Sequence, residues 1–457
     1  MTKGDAYFRE NREQHLNQLK EFLRIPSISA LSAHKEEMRR AAGWLTGELK
    51  RIGMTRVEIM ETGGHPVVYA ERLDQPGGPT ALIYGHYDVQ PVDPLELWVS
   101  PPFEPEIREN KLYARGASDD KGQVFMHLKV IEAILQTEGT LPVNLKLLIE
   151  GEEEIGSRNL ERFIAAHREL LQADLVVISD TGLYARGVPS LTYALRGLAA
   201  MEVHVQGAKG DLHSGMFGGA APNAVTALVQ LLSTLHRPQG GVAVQGFYDQ
   251  VRPLSAEERE SFAALGFDEG GLARELKVQA LPGEPGYSVL ERLWARPTLE
   301  LNGIFGGFQG EGTKTVIPAR AGAKITCRLV PDQDPARVMD AIEAHLKQHC
   351  PPGITLEFVR EEGGAPACIT PIDHPAIRAA MAALAEAYGK ESRFIRSGGS
   401  IPVVGTFTKV LGIPSVLMGF GLEEENFHAP NEHFHLENFD TGMRALYSYW
   451  YKLAQAL

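Results

Sequence analysis

Histidine and acidic side chains recur at separate points of this chain, each close behind a short apolar run or just before a helix. The apolar runs lie at residues 81–84, 143–149, 175–178 and 414–420. The polar residues in question are His86, Asp88, Asp119, Asp120, the glutamates at positions 150 and 152–154, Asp180 and His428. Imidazole and carboxylate ligands without thiolates suit zinc, manganese or cobalt, and pairs of such ions are common in hydrolytic sites. The pattern therefore predicts a carboxylate-rich metal centre.

Each group also has an ordinary structural explanation when it is taken alone. A histidine at a strand end can be capped by a neighbouring aspartate, two acids before a helix can cap it, and a run of acids can form a solvated helix face. Their joint occurrence favours metal binding, because open α/β sheets bind ligands beyond the carboxyl ends of their strands. Glutamates crowded there also repel one another unless cations neutralise them.

The apolar runs themselves predict the elements that position these residues. Runs of four to seven apolar residues ending in polar sequence are typical of buried strands in a largely parallel sheet. Residues 123–135 have helical periodicity and suit a helix that crosses over between two strands. Residues 7–23 and 36–52 are predicted to form helices as well. The fold class is therefore predicted as α/β, with a mostly parallel sheet flanked by helices.

The middle of the chain has a different pattern, which predicts a second, α+β domain. It contains a strand at 198–205, a helix at 222–235, a Gly- and Pro-rich segment at 238–297, strands within 314–329, a helix at 335–349 and a strand at 354–359. We expect residues 1–189 and 367–457 to form one domain and residues 190–366 to form an inserted one. A chain of 457 residues is long enough for both.

Composition excludes several classes of function. The formal charge of −13 and the lack of a basic run oppose nucleic-acid binding. No segment approaches the roughly 20 apolar residues that span a bilayer, and residues 1–10 lack a signal-peptide pattern, so we expect a cytoplasmic protein without membrane partners. The three cysteines have no CxxC spacing, which leaves histidine and carboxylates as the metal ligands.

In this order, the polar groups resemble those of the M20 family of metallopeptidases, and most closely its dipeptidase branch. The matching segments are 86–91 (HYDVQP), 115–122 (RGASDDKG), 150–157 (EGEEEIGS), 179–180 (SD), 211–215 (DLHSG), 314–318 (KTVIP) and 428–432 (HAPNE). The resemblance implies two divalent ions per subunit, expected to be Zn²⁺ with Mn²⁺ or Co²⁺ as alternatives. It also implies that the inserted domain acts as a lid and as the interface of a homodimer.

The resemblance further implies a role for each site residue. Asp119 would bridge the two ions, His86 and Asp180 would complete one site, and Glu154 and His428 would complete the other. Glu153 would be the general base, and Asp88 would orient the ring of His86. A cis peptide is expected between Asp119 and Asp120.

Residues of the inserted domain and of the loop at 397–400 are expected to bind the substrate. His213 resembles a histidine that reaches across the dimer interface to stabilise the oxyanion. Arg328 resembles an arginine that binds the substrate carboxylate, and the residues expected to assist it are Thr315, Gly399 and Ser400. An ordinary loop position for His213 and a solvent-facing strand position for Arg328 are the alternatives.

The function implied is hydrolysis of dipeptides by a metal-activated water, with Glu153 as base. One alternative is a deacylase or desuccinylase of the same fold, which the metal motifs do not distinguish from a dipeptidase. A second alternative is an inactive binding or scaffold protein, which would be expected to lack ligands; every ligand position of the motifs is filled in this chain. The size of the inserted domain and the sequence around Arg328 favour the dipeptidase.

Overall fold

The computed structural model describes residues 2–361, 366–399 and 401–457. The chain divides into two compact units. The first comprises Met1–Tyr193, Thr370–Ile395 and Pro402–Leu457, and the second comprises Ala194–Ile369 and Arg396–Ile401.

Helices and strands both occur throughout the chain. Those before residue 190 are α1 (Lys3–Glu10), α2 (Arg12–Leu23), α3 (Lys35–Arg51), β1 (Arg56–Met60), β2 (Val67–Arg72), β3 (Thr80–His86), β4 (Glu106–Arg108), β5 (Lys111–Tyr113), α4 (Lys121–Glu138), β6 (Asn144–Glu150), α5 (Leu160–Ala166) and β7 (Leu175–Ile178). Those from residue 190 to 369 are β8 (Ser190–Leu195), β9 (Gly197–Gln206), β10 (Leu212–His213), α6 (Ser214–Phe217), α7 (Ala224–Ser233), α8 (Ala256–Ala263), α9 (Glu269–Glu275), α10 (Val289–Ala295), β11 (Thr298–Gly306), β12 (Val316–Ile317), β13 (Arg320–Leu329), α11 (Pro335–Gln348), β14 (Thr355–Arg360) and β15 (Cys368–Ile369). The remainder are α12 (Pro375–Tyr388), β16 (Arg393–Ser397), α13 (Pro402–Thr406), β17 (Ser415–Leu417), β18 (His433–His435) and α14 (Leu436–Ala456). Short 3₁₀ turns lie at Ser32–His34, Leu95–Leu97, Glu153–Ile155 and Glu423–Glu425, and a π-helical turn at Phe407–Leu411.

The first unit is built on a mixed sheet in which the described strands follow the order β1-β2-β6-β3-β7-β17-β8, and β8 pairs in addition with β15 and β16. Its central strands β6, β3, β7 and β17 are parallel, whereas β1, β2 and β8 join antiparallel at the two sides. Every residue of β6 and β7 is buried, which explains why both strands are largely apolar. Helix α4 connects β3 to β6 and is buried from Lys121 to Ile134. The predicted α/β class with a mostly parallel sheet is confirmed.

The register of the central strands brings their carboxyl ends level with one another. His86, the last residue of β3, pairs with Glu150, the last residue of β6. Tyr84 pairs with Ile178, the last residue of β7. The residues that follow these three strands therefore emerge at one edge of the sheet.

The second unit contains an antiparallel sheet with the order β11-β13-β9-β14 among the described residues. Side chains of β9 alternate between buried and half-buried positions, as expected when one face of a sheet packs on helices. Helices α7 and α11 cover that face, and their apolar residues form one core with Met201, Val203 and Ile325. This unit is α+β, as the sequence predicts.

Three predicted elements differ from those observed. The helix predicted over 7–23 is two helices, because Asn11 leaves the helical conformation and its side chain donates to the Tyr7 carbonyl over 2.9 Å. The strand predicted over 414–420 extends only over Ser415–Leu417, beyond which Gly419 lies so close to the Thr181 carbonyl that a Cβ would be 2.0 Å from it. The Gly- and Pro-rich segment 238–297 contains α8, α9 and α10. Among the helices described, none is both long and apolar enough to cross a membrane.

Candidate metal centre

His86 ends β3 with its ring fully buried and pointing toward two carboxylates. Its Nε2 atom lies 3.2 Å from Asp119 Oδ1 and 3.9 Å from Asp180 Oδ2. Within the part of the chain that the structure describes, this buried Nε2 has no partner in hydrogen-bond geometry. The other ring nitrogen, Nδ1, is 3.1 Å from the backbone carbonyl oxygen of Asp88. That contact fixes the ring orientation and leaves Nε2 directed at a group of potential ligands.

A second donor group lies on the other side of Asp119. His428 Nε2 is 2.8 Å from Asp119 Oδ2 and 3.2 Å from Glu154 Oε2. In each group, one donor atom per residue lies within 4.8 Å of the others. Asp119 belongs to both groups and offers a different oxygen to each. This arrangement fits a carboxylate that bridges two cations.

Electrostatics at the centre follow from the burial of several acids beside two imidazoles. Burial raises the pKa of Asp119, but its close contacts with the rings of His428 and His86 outweigh it and hold that pKa well below its usual value. Hydrogen bonds to Asp119, and then to Glu154, raise the pKa of His428 to about 10. Burial, reinforced by neighbouring carboxylates, raises the pKa of Asp180. Such a set of buried carboxylates and imidazoles has the charge and the donor chemistry to hold two dications.

Asp88 contributes more than the ring contact predicted for it. Its carboxylate lies 3.4 Å from His86 Nδ1, and it accepts hydrogen bonds from the backbone N–H groups of Glu153 and Glu154 at 3.3 and 3.1 Å. A fully buried carboxylate at the end of β3 therefore fixes the turn that follows β6. Gln90 also donates to Glu154 Oε2 over 2.8 Å, a contact that no sequence pattern predicts.

The acidic run after β6 separates into residues with different surroundings. Glu152 is buried and accepts hydrogen bonds from Asn159 Nδ2. Glu150 accepts from the Tyr84 hydroxyl at 2.5 Å and the Ser157 hydroxyl at 2.8 Å. Burial, together with the charges of Glu154, Asp119 and Asp88, raises the pKa of Glu153 to about 7. A carboxyl group with that pKa suits a general base near neutral pH.

The segment between β5 and α4 has the backbone that the resemblance implied. The peptide between Asp119 and Asp120 is cis. Asp120 makes no side-chain hydrogen bond that caps α4, and its Oδ2 instead accepts from the His86 N–H at 3.2 Å. Helix capping therefore does not explain this aspartate.

Within the second unit, His213 and Thr315 lie in neighbouring segments. His213 on β10 pairs with Val316 on β12, and the Ser214 N–H donates to the Thr315 carbonyl over 3.1 Å. The Gly215 N–H donates to His213 Nδ1 over 3.0 Å, so a neutral ring carries its proton on Nε2. Both His213 and Thr315 are exposed, and the His213 Nε2–H is therefore a donor at the surface of this unit.

Arg328 lies on β13, opposite Leu198 of β9 and Thr298 of β11. A residue that the sequence did not single out, Arg196, is close by: burial and the charge of Arg328 lower the pKa of Arg196 to about 10. A charged residue inside the otherwise uncharged stretch 190–201 was the available signal.

Arg196 also contacts the loop that contains Gly399. Its Nε donates to the Gly398 carbonyl over 3.1 Å. The Gly399 N–H donates to Ser397 Oγ over 3.1 Å. Ser400 lies outside the described residues.

Comparison with known proteins matches the chain to one family over most of its length. The model of peptidase family M20/M25/M40 matches residues 82–452. A Cys-Gly metallodipeptidase from Candida albicans is 32% identical, over 98% of this chain and 96% of that protein. Beta-Ala-His dipeptidase from Homo sapiens is 31% identical, over 100% of this chain and 93% of that protein.

Solved structures agree with the sequence comparison. The crystal structure of an M20 family metallo-carboxypeptidase from Sulfolobus solfataricus superposes with a TM-score of 0.81 and 36% identity, and the match covers 97% of this chain and 99% of that one. The chain therefore belongs to peptidase family M20/M25/M40.

Proposed function

We propose that this protein is a dipeptidase that uses two divalent cations, Zn²⁺ being the expected metal, held by His86, Asp119, Glu154, Asp180 and His428. The observation that carries the proposal is the position of Asp119, whose two oxygens face separate donor groups. Relatives that match nearly the whole chain are named as dipeptidases, which supports the choice of substrate. Nitrogen and oxygen donors also suit Mn²⁺ and Co²⁺.

The proposed chemistry divides between the cations and the side chains. When bound, two dications polarise a peptide carbonyl and lower the pKa of water. Glu153 takes the proton of the attacking water and returns it to the leaving amine, for which its raised pKa of about 7 is suited. Asp88 holds the backbone of Glu153 in place through the N–H hydrogen bond of 3.3 Å.

The second unit is proposed to supply substrate contacts as a lid. His213 of the partner subunit would donate its Nε2–H to the oxyanion, a role that the tautomer set by Gly215 supports. Arg328 would bind the carboxylate of the dipeptide, with assistance from Thr315, Gly399 and Ser400.

A homodimer formed through the second unit is part of this proposal. Strand β11 is an outer strand of its sheet among the described residues. It exposes Leu301, Ile304 and Phe305, with relative accessibilities of 37%, 57% and 37%. An outer strand with exposed apolar side chains favours pairing with another chain. Light scattering after size exclusion should give a dimer, and a monomer at working concentration would contradict this part.

The cytoplasm is the proposed compartment. Cys327, Cys350 and Cys368 are all free in the part of the chain that the structure describes. Free cysteines suit a reducing environment. Cell fractionation with an epitope-tagged chain would test this assignment.

A substrate panel tests the proposed function directly. It should contain free dipeptides, tripeptides, dipeptides blocked at the amino terminus, and N-acetyl and N-succinyl amino acids. We expect hydrolysis of free dipeptides, loss of activity on chelation, and recovery when Zn²⁺, Mn²⁺ or Co²⁺ is returned. Cleavage of acylated amino acids alone would indicate a deacylase. Preference for blocked or longer peptides would indicate a carboxypeptidase, and absence of metal and of any turnover would indicate a binding protein.

A further inference from the structure

Two acidic residues outside the proposed ligand set flank His428 in the sequence and are completely buried. They are Glu425 and Glu432, both with a relative accessibility of 0%. Their neighbours Glu423 and Glu424 are exposed, so the acidic run at 423–425 is not simply a solvated turn. Burying a carboxylate costs free energy unless hydrogen-bond donors satisfy it. Most of the donors to Glu425 and Glu432 belong to the segment 115–119.

Glu432 is bound by the segment that leads to Asp119. Its Oε1 accepts from the N–H groups of Ser118 and Asp119 at 3.0 and 3.1 Å. Its Oε2 accepts from Arg115 Nη1 at 2.8 Å and from the Gly116 N–H at 2.9 Å. Both carboxylate oxygens are thus used, and three of the four donors are backbone groups within three residues of Asp119 or on Asp119 itself.

Glu425 holds the same segment from the other end of the His428 loop. Its Oε2 accepts from the Ser118 hydroxyl at 2.5 Å and from the Leu422 N–H at 2.9 Å. Its Oε1 accepts from the backbone N–H and the Nδ1 atom of His435, at 2.9 and 2.7 Å. Ser118 is therefore bonded to both carboxylates, to Glu425 through its side chain and to Glu432 through its backbone.

The loop between these two anchors has an unusual backbone. Asn426, His428 and Asn431 all have positive φ, at 59°, 57° and 63°. Side-chain-bearing residues adopt this conformation rarely, and it persists where surrounding contacts impose it. Glu425 and Glu432 supply such contacts on either side of His428. These two carboxylates therefore tie both ends of the His428 loop to the segment that contains Asp119.

We propose that Glu425 and Glu432 are positioning residues for the metal centre. By fastening the His428 loop to the Asp119 segment, they hold His428 Nε2 and Asp119 Oδ2 at the separation at which both face one ion. The inference rests on the proposed ligand set. It predicts that the anchors control the site of Asp119, Glu154 and His428 more strongly than the other site, which shares only Asp119 with the anchored segments.

The test replaces the anchor without touching a ligand. In Glu432→Gln an amide NH₂ donor would face groups that are themselves donors, so the contacts on one oxygen are lost. Metal-free full-length protein is titrated with Co²⁺, and binding is followed by the visible absorption of the ion. Residues that orient metal ligands typically change affinity by about 10–100-fold. We expect a weakening of about that size for one of two Co²⁺ ions, with an altered spectrum.

Two further variants keep the test decisive. Ser118→Ala removes only the hydroxyl contact to Glu425 and should weaken the same ion by a smaller factor, so it decides the matter if Glu432→Gln does not fold. Glu132→Gln changes a buried glutamate of α4 that is bonded to Lys129 and Arg51. It should lower thermal stability without altering Co²⁺ affinity or spectrum.

The possible results separate the positioning role from the ligand set. Unchanged Co²⁺ binding in the anchor variants, with two ions bound by the wild type, would overturn the positioning role and leave the proposed function intact. If the wild type itself binds no Co²⁺, the ligand set fails and the positioning role fails with it. Equal loss of affinity in Glu132→Gln would assign the effect to general destabilisation and also overturn the inference.

Discussion

Asp88 connects the two segments on which the proposed chemistry depends. Its backbone carbonyl faces the His86 ring, while its carboxylate accepts from the N–H groups of Glu153 and Glu154. One residue just beyond β3 thus orients two proposed ligands and the proposed base. Because these hydrogen bonds fix the backbone at Glu153 and Glu154, the assignment of the base depends on the side chains alone.

Replacement of Glu153 tests that identity. Glu153→Ala should lower kcat by about 10²–10⁴-fold, the usual contribution of a general base, while both metal ions remain bound. The measurement is dipeptide turnover, with metal content determined on the same sample. Glu152→Ala is the matched control, because Glu152 is bonded to Asn159 and should affect kcat far less. Wild-type turnover in Glu153→Ala would refute the assignment.

Replacement of Arg328 tests the proposed carboxylate contact. Arg328→Met should reduce kcat/KM for free dipeptides by about 10–100-fold, since hydrogen bonds to a charged group contribute about 1.5–3 kcal/mol. The same variant should not further slow hydrolysis of a dipeptide amide, which lacks the carboxylate. Arg320→Met, at an exposed position of the same strand, is the control. An equal effect on dipeptide and amide would contradict the contact.

At the residue level, the site residues that the sequence could predict are those that follow the ends of buried strands. His86, Glu154 and Asp180 follow buried apolar runs, and such runs are visible in sequence. The burial of Glu425 was not predictable, since its neighbours Glu423 and Glu424 are exposed and one of its hydrogen-bond donors, Ser118, is far away in the sequence. Likewise, the hydrogen bonds that Asp88 accepts from Glu153 and Glu154 depend on the spatial order of β3 and β6.

At the level of elements, strands and helices with clear periodicity were predicted closely. The run 175–178 became β7, and the helix predicted over 335–349 became α11 (Pro335–Gln348). Helices α8 and α10 were missed because the segment is rich in Gly and Pro. Both begin with a capping box, Ser255 with Glu258 and Ser288 with Glu291, and that S-x-x-E spacing was the signal to use.

Helices α2, α3 and α4 meet at a buried charge cluster away from the metal ligands. Lys129 is fully buried and donates to Glu132 at 2.8 Å, to Gln18 at 2.7 Å and to Glu48. Burial would raise the pKa of Glu132, but Arg51 and Lys129 outweigh it and lower the pKa to about 2. Ionised Glu132 is therefore stabilised in the folded state.

This cluster predicts a specific loss of stability in acid. Because the folded pKa of Glu132 lies below its unfolded value of 4.5, the stabilisation is complete above about pH 4.5 and is lost as the pH falls toward 2. Between pH 6 and 3 the wild type should lose about 1–2 kcal/mol more unfolding free energy than Glu132→Gln, allowing for solvent screening around Arg51. Urea unfolding at each pH measures it, with Glu138→Gln on the same helix as control. Parallel pH profiles for wild type and Glu132→Gln would contradict it.

At the scale of the whole molecule, the chain has two units with separate interiors. The core of the second unit is formed by β9, β13, α7 and α11. The first unit has its own core around β6, β7, α4 and α14. All five proposed metal ligands belong to the first unit. Metal binding and the stability of the second unit are therefore expected to be largely independent.

Removal of the metal should accordingly lower the stability of one unit only. A ligand that binds the folded state stabilises it by about 2.7 kcal/mol at a concentration 100 times its Kd, so chelation should destabilise the first unit by at least that order. We expect calorimetry to show two transitions, of which chelation shifts only one to lower temperature. Hydrogen exchange identifies it: amides around residues 115–122 and 425–435 should lose protection, whereas those of β9 and β13 should not. A common shift of both transitions would show that the units unfold together, and no shift would count against the metal ligands.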